Sequence, residues 1–251
     1  MSGHSKWANI KHRKEKADAQ KGAAFTKAAR EIIVAVKQGG PDPEANFKLR
    51  MAIQSAKSAN MPNDSITRAI KRAAGEGQNE NYEEMVYEGY GPAGVAFIVE
   101  ATTENRNRTA SDVRYLFSKH GGNLGETGCV GWMFERKGVI EVPKASFAGS
   151  EDDLMMIALD AGAEDLVAGE EVYEITTAPE ETDAVRRQLD AAGVQYESVK
   201  LDRIPKNTVT LNLSQAVSVF KLVDALEDHD DVQQVFCNFD IPDDVMEQLE
   251  N

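Results

Sequence analysis

Residues 138–206 read GVIEVPKASFAGSEDDLMMIALDAGAEDLVAGEEVYEITTAPEETDAVRRQLDAAGVQYESVKLDRIPK, and the rhythm of this stretch decides the fold. Val139 to Val142 is a short β-branched run that predicts a strand, and Leu154, Ile157, Ala158 and Ala161 recur at helical spacing. Asp165 to Val167 and Val172 to Thr177 predict two more strands. Val185, Leu189 and Ala192 predict a second helix, and Tyr196 to Leu201 a closing strand. The order β-α-β-β-α-β is the string of a ferredoxin-like sandwich.

The same style continues on both sides. Val95 to Ala101 predicts a strand, Val113, Leu116 and Phe117 a helix stopped at Gly121-Gly122, and Cys129 to Phe134 another strand. Val209, Leu211 and Leu213 alternate with polar residues as in a half-buried strand. They are followed by a helix with Val219, Leu222, Val223 and Leu226 on one stripe and a strand from Val232 to Phe239. The flanks thus spell β-α-β twice, and the economical arrangement is one sandwich inserted in another; a single continuous sheet is the alternative. Gln78 to Gly94 is rich in Gly, Asn and Glu and reads as a linker entering a loop at Glu88-Gly89-Tyr90-Gly91-Pro92.

Up to Gly77 the chain reads as helical. Phe25, Ala29, Ile32 and Val36 keep helix spacing until Gly39-Gly40. Asp42 is expected to cap a second helix with Pro43 at its first position and Leu49, Ala52, Ile53 and Ala56 inside. Pro62-Asn63-Asp64 begins a third, with Ile66, Ala69, Ile70 and Ala73 on one stripe and Arg68, Lys71 and Arg72 roughly opposite. The expectation is an α+β protein: a basic three-helix domain over 1–78, a discontinuous α/β domain over 79–137 and 207–251, and an inserted α/β domain over 138–206, the last two being ferredoxin-like βαββαβ units.

Charge follows the same division. The 251 residues carry a net charge of −14, yet residues 1–80 hold 15 Lys+Arg and 8 Asp+Glu, net +7, while residues 81–251 hold 13 and 34, net −21. Electrostatic steering acts over about a Debye length, roughly 8 Å, so a basic head can meet phosphate although the whole is acidic. With 41% hydrophobic residues the chain is ordinary for a globular protein. No apolar run approaches the roughly 18 residues of a membrane span, and Met1 to Lys16 is polar and basic with no apolar h-region behind it, so neither membrane spanning nor secretion is expected. Cys129 and Cys237 suit neither a disulfide framework nor a metal site. A soluble, cytoplasmic protein is expected.

The leader combines His4, Lys6, Trp7, Lys11, His12, Arg13 and Lys14, with Lys16 and Lys21 beyond. Cations neutralise phosphate and an indole can stack on a base, which is the composition of a nucleic-acid-reading arm. The bland reading is that Trp7 plugs the helical core and the cations form a solvated face. Arg106 and Arg108 stand just before a predicted helix, where they suit either an anion site or pairing with the carboxylates of the acidic body. Gly121-Gly122-Asn123-Leu124-Gly125 lacks the Lys-Ser/Thr of a P-loop and reads as a tight turn. His4, His12, His120 and His229 show no metal spacing, and no nucleophile stands beside a base, so neither catalysis nor a cofactor or metal is expected.

The runs Ser2 to Lys14, Phe25-Thr26-Lys27, Asn60-Met61-Pro62, Tyr87 to Pro92, Asn105-Arg106-Asn107-Arg108-Thr109 and His120 to Gly125 resemble the YebC/PmpR family from end to end. The resemblance implies a helical domain with two α/β domains, one inserted in the other. It also implies a regulator of gene expression acting on nucleic acid, either as a ribosome-associated factor that helps translation through stretches such as proline runs, or as a DNA-binding transcriptional regulator. The expected partners are ribosomal RNA or DNA, with the ribosome in the first case, and no membrane or small-molecule substrate. Carried onto this chain, the contact is the arm His4 to Lys14 with the helical domain.

Overall fold

The computed structural model describes residues 18–75 and 81–250. These residues divide into two compact units, one of 31–75 and 136–203, the other of 18–30, 81–135 and 204–250. The architecture is α+β, with N-terminal helices preceding two separate four-stranded sheets, which excludes a single continuous sheet.

α1 (Asp18–Gly39) is longer than its apolar stripe suggested. Gly40 ends it in the left-handed region (φ +86), its N–H donating to the Val36 carbonyl at 2.8 Å. Asp42 caps no helix. Its carboxylate accepts from the Glu44 N–H in a local turn, and α2 (Phe47–Ser58) begins one turn later under Asn46. Asn46, 6% exposed, is the tie: its Oδ1 accepts from the Leu49 N–H at 3.0 Å, and its amide donates to the carbonyls of Ala35 (2.7 Å) and Gly40 (2.8 Å). One side chain thereby caps α2 and closes the end of α1. Asn46→Ala removes a cap and strands two carbonyls, so it should cost about 2–3 kcal/mol. Asn46→Asp, which keeps the cap acceptor and loses the donors, should fall between; equal urea midpoints for all three proteins would refute this. α3 (Asn63–Ala74) follows a short turn in which Asn60 is left-handed (φ 60) and Met61 is buried.

In this first unit the sheet order is β5-β6-β4-β7, from β4 (Phe134–Pro143), β5 (Asp165–Ala168), β6 (Val172–Thr177) and β7 (Ser198–Pro205). With α5 (Glu151–Asp160) and α6 (Thr182–Ala191) this is the βαββαβ order read from the sequence. α5 opens with a capping box between Ser150 and Asp153, so its leading acids serve the helix start. Ile140, Val142, Leu154, Ile175, Val185 and Leu189 form the core, which Met51 of α2 joins. The buried carboxylate of Asp183 on α6 binds Arg50 of α2 at 3.0 Å and also pairs with Arg186 and Arg187.

The second unit has the sheet order β3-β1-β2-β9, from β1 (Glu83–Tyr90), β2 (Ala96–Thr103), β3 (Asn123–Leu124) and β9 (Val232–Cys237). If β2, β3 and β9 are taken as first, second and fourth strands, β1 fills the inner place of the third although it comes earliest in sequence. The spatial order is then that of the other sheet. Helices α4 (Arg106–Lys119), α7 (Leu213–Glu227) and α8 (Asp243–Glu250) accompany it, and Phe97, Val99, Val113, Phe117, Leu222 and Val235 share the main core. Ala96, Ile98 and Phe236 form a smaller cluster with Val130 and Phe134. Alternate residues of β2 therefore face apolar neighbours on both sides, and seven of its eight residues are buried.

Three sequence expectations need correction here. Residues 83–90 are a strand and not part of a linker. Cys129 to Met133 is turn and 3-10 helix, with the strand starting at Phe134. Leu213 is the first residue of α7, capped by Asn212, and the strand before it, β8, spans only Val209–Thr210, pairing with β10 (Phe239–Asp240). The 128–131 segment is held by Glu88, 7% exposed, whose carboxylate accepts from the N–H groups of Gly128 (2.9 Å), Val130 (2.9 Å) and Gly131 (2.6 Å). Beside it, a Cβ on Gly89 would stand 2.6 Å from the Asn123 carbonyl oxygen, so only glycine lets β3 approach β1 there. The run Tyr87 to Pro92 is accordingly a structural element.

Candidate nucleic-acid interface

Pro62 precedes α3 in extended backbone, and Asp64 in the first turn with Lys71 and Arg72 in the last suit the helix dipole. Ile66 and Ala69 are buried, which turns Arg68, Lys71 and Arg72 to solvent, as the spacing predicted, and Thr67 with them. Arg68 lies along its own helix, donating to the Asp64 carbonyl and to Ser65 Oγ. Lys71 has no partner among the described residues. His4, Lys6, Trp7, Lys11, His12, Arg13, Lys14 and Lys16 lie outside the described residues. Lys21 falls within α1, but its side chain is likewise outside the description.

Arg106 and Arg108 follow the second of the two readings the sequence left open. Arg106 stands 3.4 Å from Glu83 Oε2, and Arg108 donates to Asp231 Oδ2 at 2.7 Å. Asp231, 3% exposed, is a hub. It also accepts from Thr109 Oγ1 (2.8 Å), Thr103 Oγ1 (3.2 Å) and Arg30 (3.1 Å), while its own N–H donates to His229 Nδ1. Burial pushes the Asp231 carboxyl up, but the hydrogen bonds from Arg108 and Thr109 and the charges of Arg108 and Arg30 outweigh it, so its pKa falls below the usual carboxylate range. Arg30 additionally lies over the Tyr82 ring, and Lys27 donates to the Glu227 carbonyl at the end of α7. Burial lowers the Lys27 pKa against the opposing pull of Glu227, Asp228 and Asp230. These contacts fix the first half of α1, the segment that the basic leader enters, to the acidic end of α7.

The sequence reading missed one surface. Arg114, Tyr115 and Lys119 all stand exposed on α4, Tyr115 at 61%, with Lys119 Nζ 5.7 Å from its ring centre. The signal was available: every Lys and Arg of residues 81–135 lies on this one helix.

N-terminal helices followed by two antiparallel-paired four-stranded sheets, one interrupting the other in sequence, define the class of α+β protein to which this chain conforms. Two family models cover most of it: the TACO1/YebC protein N-terminal domain over residues 5–76, and the TACO1/YebC second and third domain over residues 82–239. The chain belongs to the TACO1/YebC family. A relative from Acetivibrio thermocellus is 58% identical over 240 residues, 95% of this chain and 99% of its own, and one from Desulfitobacterium hafniense is 55% identical over 249 residues, 99% of each; both are named probable transcriptional regulatory protein. The crystal structure of a conserved hypothetical protein from Aquifex aeolicus superposes with a TM-score of 0.80 at 54% identity, covering 90% of this chain and 93% of that one.

Proposed function

We propose that the chain is a non-catalytic regulator of gene expression that associates with the ribosome, binds ribosomal RNA through its basic leader and α3, and relieves stalling at sequences such as proline runs. The observation that carries this reading is the separation of charge. A +7 segment ends in a helix whose Thr67, Arg68, Lys71 and Arg72 face solvent, ahead of a −21 remainder. A particle built of RNA and basic proteins offers a complement to both signs. The relatives' regulatory names agree with the coarser part of the reading. The thiols support a role without covalent chemistry. Burial raises Cys237 well above its ordinary value, and burial with the nearby Glu88 charge raises Cys129, away from the thiolate a nucleophile needs.

The leading test is co-sedimentation with ribosomes at physiological salt. The protein should travel with the particle and dissociate as salt rises. With six to eight phosphates engaged, affinity for RNA should fall about a thousand-fold between roughly 50 and 200 mM salt. Reversing Lys11, Arg13 and Lys14 to Glu should lower the slope of log affinity on log salt by about 2 or more; protein remaining at the top of every gradient would remove the proposal.

DNA binding by a transcriptional regulator is the second reading, favoured by the relatives' names and by one local feature. α2 and α3 are joined by only Ala59 to Pro62, with Asn60 left-handed, a connection of helix-turn-helix length that leads into a helix with exposed Asn63, Thr67 and Arg68. A gel shift against excess random duplex decides it, since binding no tighter than to the competitor counts against base readout.

A further inference from the structure

Residues 81–135 hold four Lys and Arg against eight Asp and Glu, and the four cations, Arg106, Arg108, Arg114 and Lys119, all belong to α4. The first two are engaged by Glu83 and Asp231. Arg114 and Lys119 have no carboxylate partner among the described residues. With Thr109, Val113 and Phe117 buried, a turn of about 100° per residue places Asn107, Ser111, Arg114, Tyr115, Ser118 and Lys119 on the opposite side. Asp112, the one acid of the helix, stands at the margin of that side and 3.4 Å from His229 Nε2. An exposed aromatic ring, flanked by two cations that have no carboxylate partner among the described residues and by small hydroxyl and amide groups, thus stands on the one basic helix of a segment that is acidic in sequence.

We infer that this face of α4 binds an unpaired segment of RNA, with Tyr115 stacking on a base and Arg114 and Lys119 meeting the adjoining phosphates. The charge complement of two exposed cations without a carboxylate partner among the described residues is a polyanion, and a solvent-facing ring asks for a partner with a π face; single-stranded nucleic acid supplies both. A duplex does not, because its bases are stacked on one another and withheld from a ring standing on a helix. The inference rests on the nucleic-acid reading above but on different residues, so the two fail separately.

The test uses the full chain and anisotropy of a short labelled oligouridylate, alone and annealed to its complement, at several salt concentrations. Tyr115→Ala should weaken binding of the single strand about 5- to 50-fold, and Tyr115→Phe should leave it within about twofold. The double variant Arg114→Ala with Lys119→Ala should reduce the slope of log affinity on log salt by about 1.4. Duplex binding should be insensitive to Tyr115→Ala. These side chains are exposed, so unchanged thermal melting confirms that each variant is folded. Wild-type affinity of Tyr115→Ala for the single strand, or an equal loss on the duplex, overturns the inference. Leader reversal that abolishes binding while the α4 variants bind normally overturns it too, and leaves the leader reading standing; the converse pattern retains α4 and removes the leader.

Discussion

Glu88→Ala should lower the unfolding free energy of the unit containing β1 and β2 by about 3–5 kcal/mol. The carboxylate accepts three backbone N–H groups from one tight turn, and truncation leaves all three without a partner at a site where the side chain is nearly inaccessible. Each buried donor left unmet costs roughly 1–3 kcal/mol, with solvent at the turn recovering part of the sum. Val130, at the centre of that turn, packs with Ala96, Ile98, Phe134 and Phe236, so loosening the turn also uncovers apolar surface. Glu88→Gln keeps one good acceptor and turns its amide donor toward an N–H, so it should recover no more than about half of the loss. Urea unfolding gives the free energies, and amide exchange at Gly128, Val130 and Gly131 locates the effect. Protection at those amides equal to wild type in the alanine variant would show that the carboxylate does not hold the turn.

Asp231→Asn should cost about 3 kcal/mol at neutral pH. Its carboxylate gathers Arg108, Arg30, Thr103 and Thr109, and an amide of the same shape can neither balance the guanidiniums nor accept from every hydroxyl. The pH dependence separates charge from shape. Because the folded Asp231 pKa is depressed, its contribution is fully present above the unfolded carboxylate value of about 4 and is lost as pH falls through the lower folded value. The gap between wild type and Asp231→Asn should therefore be constant from about pH 7 to 5 and narrow below about pH 4. A gap unchanged at about pH 3 would mean that the ionised state contributes nothing.

The places where the sequence misled have physical causes. The order of strands and helices within 138–206 was legible because its apolar residues keep helix and strand periods, even though a few polar residues such as Glu174 and Asp183 are buried. β1 was hidden because the acid at its centre, Glu88, points at backbone N–H groups and is buried, while Gly89 is there to admit β3; both residue types ordinarily signal a loop. Cys129 to Met133 is apolar like a strand, yet Glu88 takes the N–H groups of Val130 and Gly131, and those of Cys129 and Met133 donate to the Glu126 and Val130 carbonyls, so the segment needs no neighbouring strand. Leu213 continued an alternation that Asn212 in fact ends by capping α7. Asp42 has the right chemistry for a cap, but Asn46 alone reaches both helices.

The solvent-facing side of α3 was legible because charge coincided with helical spacing. Arg68, Lys71 and Arg72 were placed correctly because Ile66 and Ala69 fix the buried side of α3. Arg106 and Arg108 could not be assigned from spacing, since the partner of Arg106, Glu83, lies on another element and that of Arg108, Asp231, lies more than a hundred residues away. Arg114, Tyr115 and Lys119 went unnoticed because the surrounding sequence is acidic on average, and an average conceals one helix of opposite sign.

The place of β1 and β9 in their sheet bears on how the chain matures. Val99 on β2 pairs with Val235 on β9, so the inner strand β2 keeps an unsatisfied edge until almost the whole polypeptide has been made. The 136–203 region needs no such wait, because its strands and helices are neighbours in sequence and such contacts form quickly. During synthesis the interrupting domain should thus reach its native form first, while the sheet it interrupts stays open and prone to mispairing. Late truncations that remove β9 should yield aggregated chains carrying a correctly folded, protease-resistant interior fragment.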